Sequence, residues 1–128
     1  MSNPFTTYEQ SRSLVGVIEP DEGHLYYWVS LCGEYILCVK KSLHFVPVDM
    51  ITYGALELHL EAIPAYNFSQ LWEKLPRGIQ DFTTITHSVD EFTLTLDYRS
   101  REREFISPDI NEAFVWLLIQ LHKEGVEL

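Results

Sequence analysis

The chain has 128 residues, and its nine Lys and Arg stand against nineteen Asp and Glu, a formal net charge of −10 with histidine neutral. Hydrophobic residues make up 46% and aromatic residues 13%, which excludes a disordered chain because this much apolar side chain supplies a core. The acidic balance disfavours binding to a nucleic-acid backbone, whose affinity comes from Lys and Arg neutralising phosphates. We therefore expect a single domain over residues 1–128 that does not bind nucleic-acid backbones directly.

The first residues lack the basic start and the apolar run of a signal peptide. The longest unbroken apolar run covers residues 113–119, seven in all, against about twenty for a membrane-spanning helix. Only Cys32 and Cys38 are present, fewer than a small disulfide-stapled secreted domain has. We expect a cytoplasmic protein with no membrane contact, in which both thiols are buried.

The first half of the chain has the pattern of antiparallel strands. Residues 1–13 are predicted to be irregular or a short helix, and residues 14–19 are a short apolar run that predicts a strand. A turn follows at residues 20–23, where Pro, Asp and Gly occur together. Residues 25–32 and 35–40 are then predicted to form a hairpin with both faces apolar, which is typical of central strands.

The hairpin turn is predicted at Gly33 and Glu34, because glycine readily adopts the positive φ that a two-residue turn needs. In that register Cys32 pairs with Tyr35, and Val29 pairs with Cys38. The two thiols would then lie on opposite faces of the sheet, because side chains alternate along a strand. This arrangement disfavours a disulfide.

Two further strands are predicted before the middle of the chain. Residues 43–48 contain Pro47, which lacks a backbone donor and indicates an edge strand or a strand end. Residues 54–63 show strict alternation, which predicts one strand with a buried and a solvent-facing side. Glu57, His59 and Glu61 share the solvent-facing side in this prediction.

The second half alternates between helical and extended patterns. Asn67 followed by Gln70 resembles a capping box, and the apolar residues after it predict a short helix that ends at residues 76–78. Residues 79–87, 92–98 and about 101–106 are predicted strands, joined by turns at 88–91 and near 99–100.

A last helix is predicted from either of two caps, Asp109 with Glu112 or Ser107 with Pro108, to a C-terminal cap at Gly125. Its apolar residues cover more than half of its circumference. Either this helix lies under the sheet, or Trp116 and its neighbours form a subunit contact. The predicted fold class is α+β, with a mainly antiparallel sheet, a short middle helix, and a long, strongly apolar C-terminal helix packed on it.

Residues from about 67 to the end resemble small α/β-sandwich proteins of unknown function that are found on phages and mobile elements. The resemblance rests on the Leu-Trp-Glu-Lys-Leu-Pro segment at 71–76, the alternating strand at 92–98, and the Asn-Glu-Ala start of the last helix at 111–113. It implies a phage or mobile-element origin. No site residues follow from it, because these proteins mostly lack assigned activities.

No set of residues with the spacing of a catalytic, cofactor or metal site is found in the sequence, since no pair of closely spaced Cys or His ligands is present. Glu57, His59 and Glu61 are candidates for proton transfer or cation binding, although a solvent-facing strand is normally polar. An enzyme is therefore less expected than a binding protein.

Arg99, Arg101 and Arg103 alternate with acidic and polar residues on the last predicted strand. Three guanidinium groups on one face would form an anion clamp, but a salt-bridged edge that deters strand pairing is the favoured interpretation. Residues 1–98 hold five basic and thirteen acidic residues, so most of the acidity lies there.

The leading hypothesis is a non-enzymatic acidic protein, a regulator or inhibitor that binds a basic protein partner. The candidate interaction residues are Glu57, His59, Glu61, Arg99, Arg101, Arg103 and Trp116. One alternative is a homo-oligomeric structural subunit that self-associates through the last helix. The other is a small-ligand-binding protein or small enzyme with an aromatic pocket around Tyr26, Tyr27 and Trp28.

Overall fold

A computed structural model describes residues 4–31, 33–42, 44–49, 56–57 and 61–128. The fold is α+β, and its sheets are antiparallel. The helices of the described chain are α1 (Tyr8–Ser13), α2 (Phe68–Lys74), α3 (Arg77–Gln80) and α4 (Ile110–Lys123). Its strands are β1 (Tyr26–Leu31), β2 (Glu34–Lys41), β3 (His44–Pro47), β4 (Leu56–Glu57), β5 (Ala62–Pro64), β6 (Thr83–His87), β7 (Phe92–Tyr98) and β8 (Arg101–Ser107).

Within the described residues, the first sheet has five strands in the order β4-β3-β2-β1-β5. The hairpin of β1 and β2 is therefore central, as its two apolar faces predicted. One face packs around the buried residues Val29, Cys38 and Phe45. The other is covered by the N-terminal segment, where Phe5 contacts Tyr26 at 4.3 Å between ring centroids.

The predicted register of this hairpin is wrong by two residues. Val29 pairs with Ile36 rather than with Cys38, and Cys38 pairs with Tyr27. The cause is the position of the turn: Glu34 already pairs with Leu31, and Gly33 just before it has a φ of 83°. The predicted partner and orientation of Cys32 lie outside the described residues.

Residues 14–19 do not form the predicted strand. They continue from α1 as tight turns, in which the amides of Val17 and Ile18 donate to the carbonyl of Leu14. Leu14 and Ile18 are both buried in the larger core of the molecule, because a turn of this kind brings residues four apart to the same side. An apolar run this short does not distinguish a strand from a turn against the core.

The strand predicted over residues 54–63 is described only at residues 56–57 and 61–63, and these two parts have different partners. β4 pairs with β3, whereas β5 pairs with β1, so the two segments lie at opposite edges of the first sheet. Residues 54–55 and 58–60 lie outside the described residues, so the continuity of this strand stays a prediction.

The second sheet has the order β6-β7-β8, and α4 packs against β7 and β8. β7 has the predicted bounds, and β8 extends one residue beyond its prediction. The turn between them has φ values of 57° at Arg99 and 59° at Ser100, the geometry of a two-residue type I′ turn. The predicted strand at 79–87 begins only at Thr83, because Pro76 starts the short helix α3 instead.

The two longer helices of the second half have the predicted caps. The side chain of Asn67 accepts from the backbone N–H of Gln70, and Gln70 reaches back to the backbone N–H of Asn67. Asp109 caps α4, and at its other end Gly125 has a φ of 83°. The buried residues of α4 are Asn111, Ala113, Phe114, Val115, Leu117, Leu118 and Leu121.

Candidate interaction surface

One face of the second sheet is open to solvent. The alternation of β7 and β8 turns Leu94, Leu96 and Phe105 toward the buried core under α4. The opposite side chains, which we call the outer face, are exposed or half-buried. The outer face consists of Thr84, Thr86, Thr93, Thr95, Asp97, Glu102, Glu104 and Ile106.

The charges of the outer face are all negative. The register places Asp97 directly opposite Glu102, and Glu104 follows two residues later on the same side of β8. Directly opposed side chains of an antiparallel pair have Cβ atoms about 5 Å apart, so two carboxylates there repel each other. None of these three carboxylates takes part in an ion pair with any residue that the structure describes. The outer face is thus an uncompensated acidic surface.

The three arginines of the predicted clamp have different environments. Arg99 lies in the turn, with its guanidinium 5.2 Å from the ring centroid of Tyr98. The side chain of Arg101 is 59% exposed, and its Nη1 lies 3.8 Å from Glu124 Oε2. The side chain of Arg103 is only 5% exposed, and its Nε and Nη2 both donate to the carboxylate of Glu124.

The arginines of β8 therefore pair with the end of α4 and not with their strand neighbours Glu102 and Glu104. Glu124 is the residue that sequence reasoning missed. It lies 21 positions from Arg103, and no local spacing links the two. Only the packing of α4 on β8 brings them together, which leaves the acidic residues of β8 free on the other face.

A cleft of about 220 Å³ lies between β8 and α4. Its lining includes the consecutive residues 101–105, together with Trp116 and Gln120 from α4. Trp116 is 56% exposed, and its ring lies 4.4 Å from that of Phe105, measured between centroids. Of the predicted interaction residues, Arg101, Arg103 and Trp116 are thus brought together at one cleft.

Glu57 and Glu61 do not join this surface. Glu57 belongs to β4, at the edge of the first sheet opposite β5. Glu61 precedes β5, and its carboxylate is 3.6 Å from Arg12 with both side chains exposed. His59 lies outside the described residues. The shared polar strand face that motivated this group stays a prediction, because residues 58–60 are not among the described ones.

The aromatic residues of β1 do not form one shared pocket. Trp28 donates its indole N–H to the carbonyl of Thr6 and is covered by the N-terminal segment. Tyr27 points to the other face, where it meets the buried His24 at 5.2 Å between ring centroids. The ring of His24 is itself within 2.8 Å of the carbonyl of Ala65. These contacts are those of sheet packing.

Among the described residues, no group of three or more His, Cys, Asp or Glu side chains is arranged to hold a metal ion. Cys38 is a buried free thiol, and burial raises its pKa from 9.0 to about 11. A raised thiol pKa opposes formation of the nucleophilic thiolate.

In the described part of the chain, no helix has both the length and the apolar character needed to cross a membrane. No protein-family model, no curated protein and no solved structure matches the chain. The identification of the candidate surface therefore depends only on the geometry of its residues.

Proposed function

We propose that this chain is a non-enzymatic interaction protein, and that the outer face of its second sheet binds a basic surface of a protein partner. The observation that carries the proposal is the direct opposition of Asp97 and Glu102, with Glu104 beside them and no cation paired to any of the three among the described residues. Partner lysines or arginines would convert this repulsion into attraction.

Apolar side chains border these charges. Phe82, next to β6, is 57% exposed, and Ile106 on β8 is 51% exposed. A patch that combines apolar contact with a charged border suits a protein partner, because burial of the apolar groups contributes affinity and the charges provide orientation. The net charge of −10 adds long-range attraction toward a basic surface.

A regulator or inhibitor encoded by a phage or mobile element fits this chemistry. The resemblance of residues 67–128 to such proteins supports that origin, since it covers α2, β7 and α4. In this role the protein occupies a basic surface of its target and blocks access to it. Binding then depends on salt, because screening weakens interactions between exposed charges.

The test compares two variants with equal net charge. One neutralises the outer face (Asp97→Asn, Glu102→Gln and Glu104→Gln). The control neutralises three exposed carboxylates elsewhere (Glu22→Gln, Glu73→Gln and Glu127→Gln). Wild type and both variants are immobilised and exposed to a lysate of the cells that produce this protein. The salt concentration is raised from about 50 mM to about 500 mM, which shortens the screening length several-fold.

Wild type and control are expected to retain the same partner at low salt and to release it at high salt. The outer-face variant is expected to bind it on the order of tenfold more weakly, about 1.4 kcal/mol. Equal retention by all three proteins, or a partner insensitive to salt, would overturn the proposal.

Self-association is a second candidate, favoured by the exposure of Trp116 on α4. Edge-to-edge pairing of two β8 strands in a register centred on Arg103 or Glu104 is disfavoured, because it places that charged residue opposite its own copy. A dimer is therefore expected to use α4, where Trp116 is 56% exposed. Sedimentation of wild type and of Trp116→Ser over a concentration series decides this, since only an α4 dimer would dissociate on the substitution.

A further inference from the structure

β8 is the last strand of the order β6-β7-β8, and no backbone hydrogen bond from the described chain reaches its outer edge. We propose that this edge receives an extended segment of the basic partner as a fourth antiparallel strand. This inference rests on the proposed function and specifies how the partner is held. Addition of a strand to a free sheet edge supplies main-chain hydrogen bonds, while alternate side chains supply specificity.

The hydrogen-bond pattern identifies the free backbone groups. The amide of Asp97 donates to the carbonyl of Phe82 at 3.2 Å, so the polar backbone groups of Asp97 point toward β6. Antiparallel strands alternate this direction residue by residue, so Leu96 bonds to its partner Arg103 on β8. The backbone groups of Glu102, Glu104 and Ile106 therefore point away from β7, toward the free edge.

The cleft beside β8 lies along this edge. Consecutive residues of a strand point to opposite faces, so a cleft lined by all of residues 101–105 must border the edge between the faces. Trp116 and Gln120 of α4 form its side on the inner face. A strand placed here would pack its inward side chains against the exposed ring of Trp116.

The two faces specify the alternation of the incoming segment. Residues paired with Glu102 and Glu104 share the outer face with these carboxylates, so they are expected to be Lys or Arg. The residue between them points toward α4 and the rings of Phe105 and Trp116, so it is expected to be apolar. The predicted ligand is a segment in which basic and apolar residues alternate.

The probe is a blocked nine-residue peptide in which Lys and Val alternate, added to the full-length protein. Binding is expected to slow hydrogen exchange at the amides of Glu102, Glu104 and Ile106 on the order of tenfold. The amides of Arg103 and Phe105, already bonded to β7, are expected to change little. A loop contact or a purely electrostatic contact would not produce this alternation.

Two N-methylated peptides provide the matched control. Methylation of the lysine backbone nitrogens removes the hydrogen bonds to β8, whereas methylation of the valine nitrogens affects groups that point away from it. Only methylation of the lysine nitrogens is expected to abolish binding of the peptide. Trp116→Ser is expected to weaken binding without altering exchange in the free protein, because the ring is largely exposed.

The outcomes separate the two proposals. Equal binding of both methylated peptides, or no slowing at Glu102, Glu104 and Ile106, overturns strand addition. If the outer-face variant still loses its natural partner in that case, the proposed function stands. Retention of that partner by the outer-face variant overturns both the proposed function and strand addition.

Discussion

Arg103 is a charged side chain that the fold buries, and Glu124 compensates it with two hydrogen bonds. Among the residues that the structure describes, Arg103 Nη1 has no hydrogen-bond partner, so Glu124 supplies the only ones seen for this guanidinium. Removal of one member of a buried pair leaves an uncompensated charge, which costs more than the pair itself contributes. The stability of β8 against α4 is therefore sensitive to this one contact.

Glu124→Ala is expected to lower the free energy of unfolding by about 2–3 kcal/mol, less than for a fully buried pair because Glu124 is a quarter exposed. The control is Arg101→Ala, which removes an exposed partner of the same carboxylate and is expected to cost less than about 1 kcal/mol. Urea unfolding measures both. A loss for Glu124→Ala no larger than that for Arg101→Ala would contradict the assigned role.

The buried thiol gives a second prediction at this scale. Burial raises the pKa of Cys38 to about 11, so at pH 8 almost none is ionised in the folded protein. In a Cys32→Ser background, alkylation of Cys38 by iodoacetamide is expected to be at least about 100-fold slower in the native protein than in urea. Stability is expected to fall as pH rises above 9.0, because the unfolded thiol ionises first. Equal alkylation rates would contradict burial.

At the scale of elements, β7 and β8 face solvent on one side and the core on the other. The alternation of residues 92–98 predicted the bounds of β7. A strand with one buried and one solvent-facing side has apolar and polar residues in alternation. The same pattern at 54–63 did not predict that β4 and β5 lie at opposite edges of the first sheet. The period of a pattern indicates which side chains lie on the same face of a strand, and it contains no information on which strands are neighbours.

The opposed carboxylates of β7 and β8 predict an unusual effect of substitution. Asp97→Asn removes a repulsion across the strands and is expected to raise the free energy of unfolding by about 0.2–1 kcal/mol at low salt. The gain is expected to disappear near 1 M salt, where screening acts over about 3 Å. Asp90→Asn, in the exposed turn before β7, is the control and is expected to change little. An equal gain at both salt concentrations would exclude charge repulsion as its cause.

At the scale of the whole molecule, polar contacts attach the N-terminal segment to the first sheet and the turn before β1 to α2. The hydroxyl of Thr6 accepts from the amide of Tyr66, and the carbonyl of Thr6 accepts from Trp28. The turn before β1 is attached to α2 by Lys74, which donates to Asp21 at 2.7 Å. These contacts fix the turn and the N-terminal segment against the rest of the chain.

The Asp21 contact predicts a dependence on pH. The hydrogen bond from Lys74 and its positive charge hold the pKa of Asp21 below its ordinary 3.8. Folding therefore favours the ionised carboxylate, and the resulting stability is present above pH 3.8 and is lost as pH falls through the lower folded value. Asp21→Asn is expected to show a shallower acid-side loss in thermal unfolding, whereas Asp90→Asn follows wild type. Parallel profiles for wild type and Asp21→Asn would contradict the contact.

Local physics in the sequence was enough to predict the α+β class, the capping box at Asn67 and the strand alternation of the second half. Each depends on neighbours within a few residues: Asn67 finds its partner three positions away, and β7 alternates with its own period. The pairing of Arg103 with Glu124 was decided only by tertiary structure, because packing chooses contacts without regard to separation along the chain. That packing directs the arginines inward and leaves the carboxylates of β7 and β8 on the open face, which net charge alone did not locate.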